Sequence, residues 1–197
     1  EIFSKESAAG IWRQNTIIAR AAEYFSLTKK KNILFTHSYF YRFDPKQWDT
    51  KQPYPPLGTI YAASVMRESG YNVSLFDTAL IDSPEKIIPF IEKEKPDYLV
   101  IYDDGFNYLT KMCLTNMREA AFRMAELANQ KGIKVIASSS DAADHYEKYL
   151  SHGVDFVIIG EGEITLKELI TAFEKGETDF GRIEGLVFKE KAEIIKT

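Results

Sequence analysis

The sequence contains very little cysteine: Cys113 is the single one among 197 residues. One cysteine cannot form an internal disulfide, and by itself it cannot hold a zinc ion or an iron–sulfur cluster. Long apolar runs are also missing, since no stretch approaches the ~20 residues that a membrane-spanning helix needs. Arg13, Arg20 and Glu23 interrupt the apolar positions that a secretory leader would require. We therefore expect a cytoplasmic protein with no membrane partner.

An excess of basic charge is absent as well. The chain has 25 lysine and arginine residues against 29 acidic ones, which gives a net charge of −4. Proteins that bind nucleic acids usually present a basic face, so we predict no nucleic-acid partner. Two common phosphate-binding signatures are missing too, because no Gly-x-Gly-x-x-Gly follows the first apolar run and no P-loop lysine motif occurs.

The sequence does contain a regular alternation of short apolar runs. Each run is rich in β-branched and aromatic residues and is bounded by Gly, Pro, Asp or Ser, which is typical of buried strands. The five predicted strands are residues 33–36, 73–76, 98–102, 135–137 and 156–159.

Apolar residues three and four positions apart separate these runs and predict amphipathic helices. Three clear stripes occur, at residues 57–65, 114–128 and 166–173, and a glycine that suits a helix end follows each. The first stripe consists of Leu57, Ile60, Tyr61, Ser64 and Val65. Two shorter helices are predicted to start at Ser83 and at Asp141.

Strands that alternate with helices predict right-handed crossovers and a parallel sheet covered on both faces. We predict an α/β fold for residues 32–176: a flavodoxin-like (Rossmann-like), doubly wound, five-stranded parallel sheet. Residues 1–31 have apolar positions at helical spacing and are predicted to form an N-terminal helical extension. Residues 177–197 are predicted to form a β-hairpin extension.

Ligands of doubly wound sheets usually bind at the carboxyl ends of the strands. Four loops predicted at that edge have unusual sequences. Residues 37–56 form a long aromatic loop, and the others are Asp103-Asp104-Gly105, Ser138-Ser139-Ser140 and Gly160-Glu161-Gly162-Glu163. Each one by itself has a plainer explanation as a turn, a helix cap or aromatic packing. Their convergence on one edge of one sheet favours ligand binding.

His37 is the candidate for metal chemistry, because it directly follows the first predicted strand. A single histidine at a strand end is more often simply hydrogen-bonded, so we assign no metal ligand. Asp103 or Asp104 could instead be the general base of an independent small-molecule enzyme. That hypothesis requires a raised pKa in an enclosed pocket.

Several segments occur together in an order and spacing that is typical of one family. They are Pro-Pro-Leu-Gly at residues 55–58, residues 60–63 and 68–73, Val-Ile-Ile-Gly-Glu-Gly-Glu at residues 157–163, and residues 183–188. These segments resemble the N-terminal cobalamin (vitamin B12)-binding domain of B12-dependent radical-SAM proteins, and the resemblance covers residues 32–197.

The resemblance implies that cobalamin lies at the carboxyl edge of the sheet, with its nucleotide tail in the sheet crevice. The residues expected to contact this corrinoid are His37, Ser38, Tyr39, Pro56, Leu57, Gly58, Asp103, Asp104, Gly105, Ser138, Ser139, Ser140, Gly160, Glu161, Gly162 and Glu163. It also implies a radical-SAM domain in the same polypeptide, which would hold S-adenosylmethionine and a [4Fe–4S] cluster. The Cys-x3-Cys-x2-Cys motif of that domain is absent from this sequence, so we expect no catalysis by this chain alone.

Two positions depart from related proteins. The cobalt-ligating Asp-x-His-x-x-Gly of cobalamin-dependent methyltransferases and mutases does not occur around His37, and Ser138-Ser139-Ser140 stands where a Gly-Gly pair is usual. An alternative function is therefore a docking domain of the same fold that has lost its cofactor. This alternative predicts that the aromatic side chains of residues 37–56 fill the crevice.

Overall fold

Helices cover both faces of a mostly parallel β-sheet in the computed structural model of the protein. The structure describes residues 30–50, 52–103 and 114–197. The strands in these residues are β1 (Asn32–Thr36), β2 (Asn72–Phe76), β3 (Tyr98–Tyr102), β4 (Lys134–Ser138), β5 (Phe156–Ile158), β6 (Leu186–Glu190) and β7 (Glu193–Lys196). They form one sheet in the order β2-β1-β3-β4-β5-β6-β7.

The first five strands are parallel, and their order 2-1-3-4-5 is the order found in flavodoxin-like proteins. The predicted count of five strands is too low for the whole sheet, because the predicted hairpin extension joins it: β6 pairs antiparallel with β5 and β7 pairs antiparallel with β6. Leu186 and Val187 of β6 are fully buried. The additional strands therefore cover what would otherwise be an exposed apolar edge of β5.

Seven α-helices and two 3₁₀ turns connect the strands within the described residues. The helices are α1 (Pro45–Thr50), α2 (Leu57–Glu68), α3 (Ile87–Glu94), α4 (Leu114–Asn129), α5 (Ser140–Asp144), α6 (Tyr146–Ser151) and α7 (Gly162–Glu174), and the turns are Tyr41–Phe43 and Pro84–Lys86. Pro89 is tolerated in α3 because it lies in the first turn, where backbone N–H groups have no partner within the helix. Helix α5 begins one residue earlier than predicted, because Ser139 caps it.

The core has two layers, one on each face of the sheet. On one face α3 to α6 pack against alternate strand residues, such as Leu34, Leu99 and Val135. On the other face α2 and α7 pack against residues such as Ile33 and Val100. Strand β3 is buried along its whole length, which explains why its sequence is continuously apolar rather than alternating.

Helix α2 does not pack in the way that its apolar stripe indicates. Leu57, Ile60 and Tyr61 are exposed to 66%, 38% and 63%, whereas Thr59 and Ala62 are fully buried. The buried face of α2 consists of Thr59, Ala62 and Met66, and the Thr59 hydroxyl donates a hydrogen bond to the carbonyl oxygen of Tyr102 at 2.5 Å. The apolar stripe is therefore left on the surface at the carboxyl end of the sheet.

The predicted N-terminal helical extension lies outside the described residues, except for its last positions. Among the residues that the structure does describe, no helix has the length and apolar character needed to cross a membrane.

Gly185 offers a test of how β6 joins the sheet. Its φ is +77°, and a Cβ added there would lie 2.8 Å from the carbonyl oxygen of Ile159. We expect Gly185→Ala to lower the free energy of unfolding by about 2–3 kcal/mol, from left-handed backbone strain plus the steric clash. Urea denaturation measures this loss.

Gly176→Ala is the matched control, because Gly176 has a φ of +69° but no atom within 4 Å of the added Cβ. The free energy of unfolding of this variant should fall by only about 1 kcal/mol, which is the cost of the left-handed backbone conformation. Equal losses for the two variants would contradict the packing of β6 against the segment after β5.

Candidate functional site

The carboxyl ends of β3, β4 and β5 border a cavity of about 380 Å³. Its lining residues come from the loops that follow these strands and from the start of α2 and α7: Gly58, Tyr102, Asp103, Ser138, Ser139, Ser140, Ala143, Gly160, Glu161 and Glu163. Eight of these ten were predicted from the sequence. A larger groove of about 510 Å³ runs along α7, but no predicted site residue lines it.

Tyr102 and Ala143 were missed by the sequence analysis, as was Thr59 beside them. Tyr102 is the last residue of β3 and was interpreted only as a strand residue. Its position directly before Asp103 could have indicated a role at the edge. Ala143 carries no chemical signal, and its place in the cavity wall depends on the position of α5.

Asp103 connects the cavity to the loop that follows β1. The backbone N–H of Ser38 donates to Oδ1 of Asp103 at 2.6 Å, and the Ser38 hydroxyl donates to Oδ2 at 2.9 Å. Burial raises the pKa of the Asp103 carboxyl above its ordinary value of 3.8, although the hydrogen bonds from Ser38 act in the opposite direction. Ser38 itself is buried behind Asp103 and does not line the cavity.

Tyr102 and Glu163 form the wall of the cavity beside α7. The Tyr102 hydroxyl donates to Oε1 of Glu163 at 2.9 Å and accepts from the Gly162 N–H at 3.3 Å. Burial, followed by the hydrogen bond to Glu163, raises the pKa of the Tyr102 phenol above its ordinary value of 10.0. A Cβ on Gly162 would lie 2.8 Å from the Ser138 hydroxyl, so glycine permits this close packing.

The three serines after β4 have different environments. Ser138 is buried at the strand end, the Ser139 hydroxyl accepts from the Ala142 N–H at 2.9 Å, and Ser140 is exposed as the first residue of α5. A side-chain cap of this kind stabilises the start of a helix. The Ser139 hydroxyl therefore caps a helix, which is the simpler of the two interpretations of this segment in the sequence. All three serines also line the cavity.

A polar network beneath this segment holds α5 in place. Asp141 accepts from Nε of Arg118 at 2.8 Å and from the Tyr149 hydroxyl at 2.9 Å. Burial raises the pKa of the Tyr149 phenol, and the nearby Asp103 and Asp141 carboxyls raise it further. The network links α4, α5 and α6 directly behind the serine segment.

His37 lies apart from the cavity, at the junction of β1 and β2. Its ring is buried, with Nε2 at 3.0 Å from Oδ1 of Asp77 and Nδ1 at 3.1 Å from Oγ1 of Thr78. Both ring nitrogens are thus engaged by protein groups. Within the described part of the chain, no group of three or more His, Cys, Asp or Glu residues is arranged to hold a metal ion.

The aromatic residues of the long first loop pack against one another instead of entering the cavity. Tyr39, Tyr41 and Met117 form a small cluster with Trp48 and Tyr54. The Tyr39 and Tyr54 rings stack with their centroids 5.5 Å apart. None of these residues lines the cavity, contrary to what the docking-domain alternative predicts.

The remaining predicted residues differ in burial, and two of them lie outside the described part of the chain. Pro56 is buried before α2, and its carbonyl oxygen accepts from the Ile60 N–H at 2.9 Å. Leu57 is exposed at the start of the same helix. Asp104 and Gly105 lie outside the described residues.

The hydrogen bond between His37 and Asp77 should make stability depend on pH. The hydrogen bond from His37 lowers the pKa of Asp77 below 3.8, against the effect of partial burial. A lowered folded-state pKa contributes stability that is present above the unfolded-state pKa and is lost as the pH falls through the folded-state value. We therefore expect the wild-type protein to exceed Asp77→Asn in free energy of unfolding at about pH 6, and this difference to shrink below about pH 4.

Urea denaturation of both proteins across this range measures the difference. If the difference in free energy of unfolding between the two proteins stays constant down to about pH 3, Asp77 has an ordinary pKa in the folded state.

Two curated relatives match most of this chain but are much longer. The anaerobic magnesium-protoporphyrin IX monomethyl ester cyclase of Synechocystis is 27% identical over 152 residues, which is 75% of this chain and 29% of that protein. An uncharacterised methyltransferase of Pyrococcus horikoshii is 30% identical over 145 residues, 71% of this chain and 29% of that protein. The chain therefore spans under a third of the length of each.

Solved structures with a similar fold include two radical enzymes. The radical S-adenosylmethionine methyltransferase TsrM from Kitasatospora setae, with cobalamin and a [4Fe-4S] cluster bound, has a TM-score of 0.64 at 15% identity, covering 85% of this chain and 31% of that one. The cobalamin-dependent S-adenosylmethionine radical enzyme OxsB, with aqua-cobalamin and S-adenosylmethionine bound, has a TM-score of 0.63 at 18% identity, covering 88% and 23%. At these identities the similarity concerns the fold.

A family model described as the B12 binding domain matches residues 49–170. This match includes α2, β2 to β5 and the loops that line the cavity. The chain therefore belongs to the B12-binding domain family.

Proposed function

We propose that this chain binds cobalamin at the carboxyl edge of its parallel sheet, as the cofactor-binding module of a larger radical-SAM enzyme. The observation that carries the proposal is the cavity at the ends of β3, β4 and β5 in a chain of the B12-binding family. Eight residues selected from the sequence as cobalamin contacts line this one cavity.

The dimensions and lining of the cavity suit part of a cofactor. Its volume of about 380 Å³ falls within the range of ordinary ligand pockets, and it would take the nucleotide tail rather than the whole corrinoid. Gly58 and Gly160 contribute no side chain to the lining. The first turn of α2 lies at the same edge and contains no acidic residue, so its backbone N–H groups favour negative charge such as the phosphate of the tail.

The corrin ring would lie outside the cavity, over the exposed edge. Leu57 and Tyr61 of α2 and Ile164 of α7 are each more than 60% exposed there. Cobalamin when bound would supply a cobalt centre that accepts and donates a methyl group, or that takes part in related radical chemistry. The residues of this chain would hold and orient it.

The reaction itself requires further protein. The solved enzymes of similar fold are radical S-adenosylmethionine enzymes, and this chain covers 31% and 23% of their length. We infer that residues 32–176 are the cobalamin-binding unit, that residues 1–31 form a helical extension, and that β6 and β7 lead toward a radical-SAM domain in the same polypeptide. That domain would hold S-adenosylmethionine and the [4Fe–4S] cluster.

One feature favours a second candidate function. Asp103 lines the cavity and has a raised pKa, which is one of the two conditions of the general-base hypothesis. However, both of its carboxyl oxygens accept hydrogen bonds from Ser38. This arrangement suits a residue that shapes a binding site better than one that removes a substrate proton.

Retention of corrinoid is the direct test of the proposed function. We expect the 197-residue chain, mixed with hydroxocobalamin and desalted, to retain about one corrinoid per chain, with a changed absorption spectrum. Ala143→Phe should weaken binding by at least about tenfold, because the ring would occupy the cavity. Asp144→Phe is the matched control, since Asp144 is exposed on the same helix and does not line the cavity. If no corrinoid is retained and the spectrum does not change, the proposal is contradicted.

The position of His37 predicts that its ring does not ligate cobalt. Both ring nitrogens already contact Asp77 and Thr78. We expect the electron paramagnetic resonance spectrum of bound cob(II)alamin to be the same whether the protein histidines carry ¹⁴N or ¹⁵N. A change in nitrogen splitting on labelling would show that a histidine moves to the cobalt.

A further inference from the structure

Among the residues that the structure describes, the cavity lining is rich in hydrogen-bond acceptors. Asp103, Glu161 and Glu163 carry carboxyl groups, and none of the ten described lining residues is a lysine, arginine or histidine. Three serine hydroxyls and the Tyr102 hydroxyl complete its polar groups. Such a lining suits a ligand part that is uncharged and presents N–H donors.

Asp103 is the most confined of these acceptors. Ser38 donates one hydrogen bond to each of its oxygens, and each oxygen can accept one more. A carboxylate oxygen with a free lone pair accepts from the N–H of an exocyclic amine, such as the amine of adenine.

Glu163 adds a second acceptor on the opposite wall. The Tyr102 hydroxyl donates to its Oε1, so its orientation is restricted and Oε2 can accept from a ligand. A dimethylbenzimidazole base in this space would present methyl groups to buried polar atoms and leave them without partners, which is costly.

We propose that this cavity selects corrinoids whose nucleotide base carries an exocyclic amine, such as adenine, over corrinoids with a dimethylbenzimidazole base. Asp103 is the main determinant of this preference, and Glu163 supports it. The inference rests on the proposed function, because it requires the nucleotide tail of a corrinoid to enter the cavity.

Binding measurements with three corrinoids distinguish a failure of this inference from a failure of the proposed function. The three are cobalamin, its adenine-containing analogue, and cobinamide, which lacks the nucleotide. Equilibrium dialysis of the 197-residue chain against each one gives the dissociation constants. The adenine analogue should bind roughly three- to tenfold more tightly than cobalamin, the effect of one additional net hydrogen bond. Both should bind more tightly than cobinamide.

Variants at Asp103 test the assignment. Asp103→Val, which removes the hydrogen-bonding groups at similar size, should abolish the preference between the two complete corrinoids, and its cobinamide affinity measures how far the substitution disturbs the rest of the site. Asp103→Asn should retain the preference, because its amide oxygen can still accept from the exocyclic amine. Glu168→Val, on the exposed side of α7, is the control and should retain it as well.

The outcomes are distinguishable. Binding of all three corrinoids with cobalamin equal to or tighter than the adenine analogue overturns the base selection while the proposed function stands. A preference that survives in Asp103→Val, shown to be folded by its circular dichroism spectrum, overturns the role of Asp103. Absence of binding by every corrinoid, cobinamide included, overturns the proposed function and this inference with it.

Discussion

The two hydrogen bonds from Ser38 to Asp103 are the contact on which the candidate site depends. They join the loops after β1 and β3, two neighbouring strands at the point where the strand order of the parallel sheet reverses. Without this contact the carboxyl group of Asp103 would have no internal donors in a buried position, which is costly. The contact also holds the end of β3, and with it Tyr102, in the position that shapes the cavity.

The other walls of the cavity depend on close packing around that point. Gly162 allows α7 to begin against Tyr102 and Ser138, where a Cβ would be too close. On the opposite side, Arg118 and Tyr149 hold Asp141 and thereby the start of α5. The walls are thus held by buried or partly buried contacts that connect the loops to the neighbouring helices and strands.

Tertiary packing changed two expectations from the sequence. The apolar stripe of α2 was expected to be buried, and His37 was expected to contact the ligand. The apolar residues of α2 have helical spacing, which indicates a buried face, yet Thr59, Ala62 and Met66 form the buried face. His37 follows β1 as expected, but its ring turns toward β2, where Asp77 and Thr78 supply two polar partners. Periodicity and position in the chain do not contain this information, since it depends on which neighbouring strand provides a partner.

The sequence by itself determined the five parallel strands, the helices between them, and the loops that meet at one edge. Apolar runs, glycine stops and local caps act over a few residues, so their effects can be inferred from the sequence alone. Only the tertiary structure decided that β6 and β7 join the same sheet, that eight predicted residues line a common cavity, and that Ser38 and His37 lie outside it. These outcomes depend on contacts between residues as much as 65 positions apart, such as Ser38 and Asp103, whose pairing no local pattern specifies.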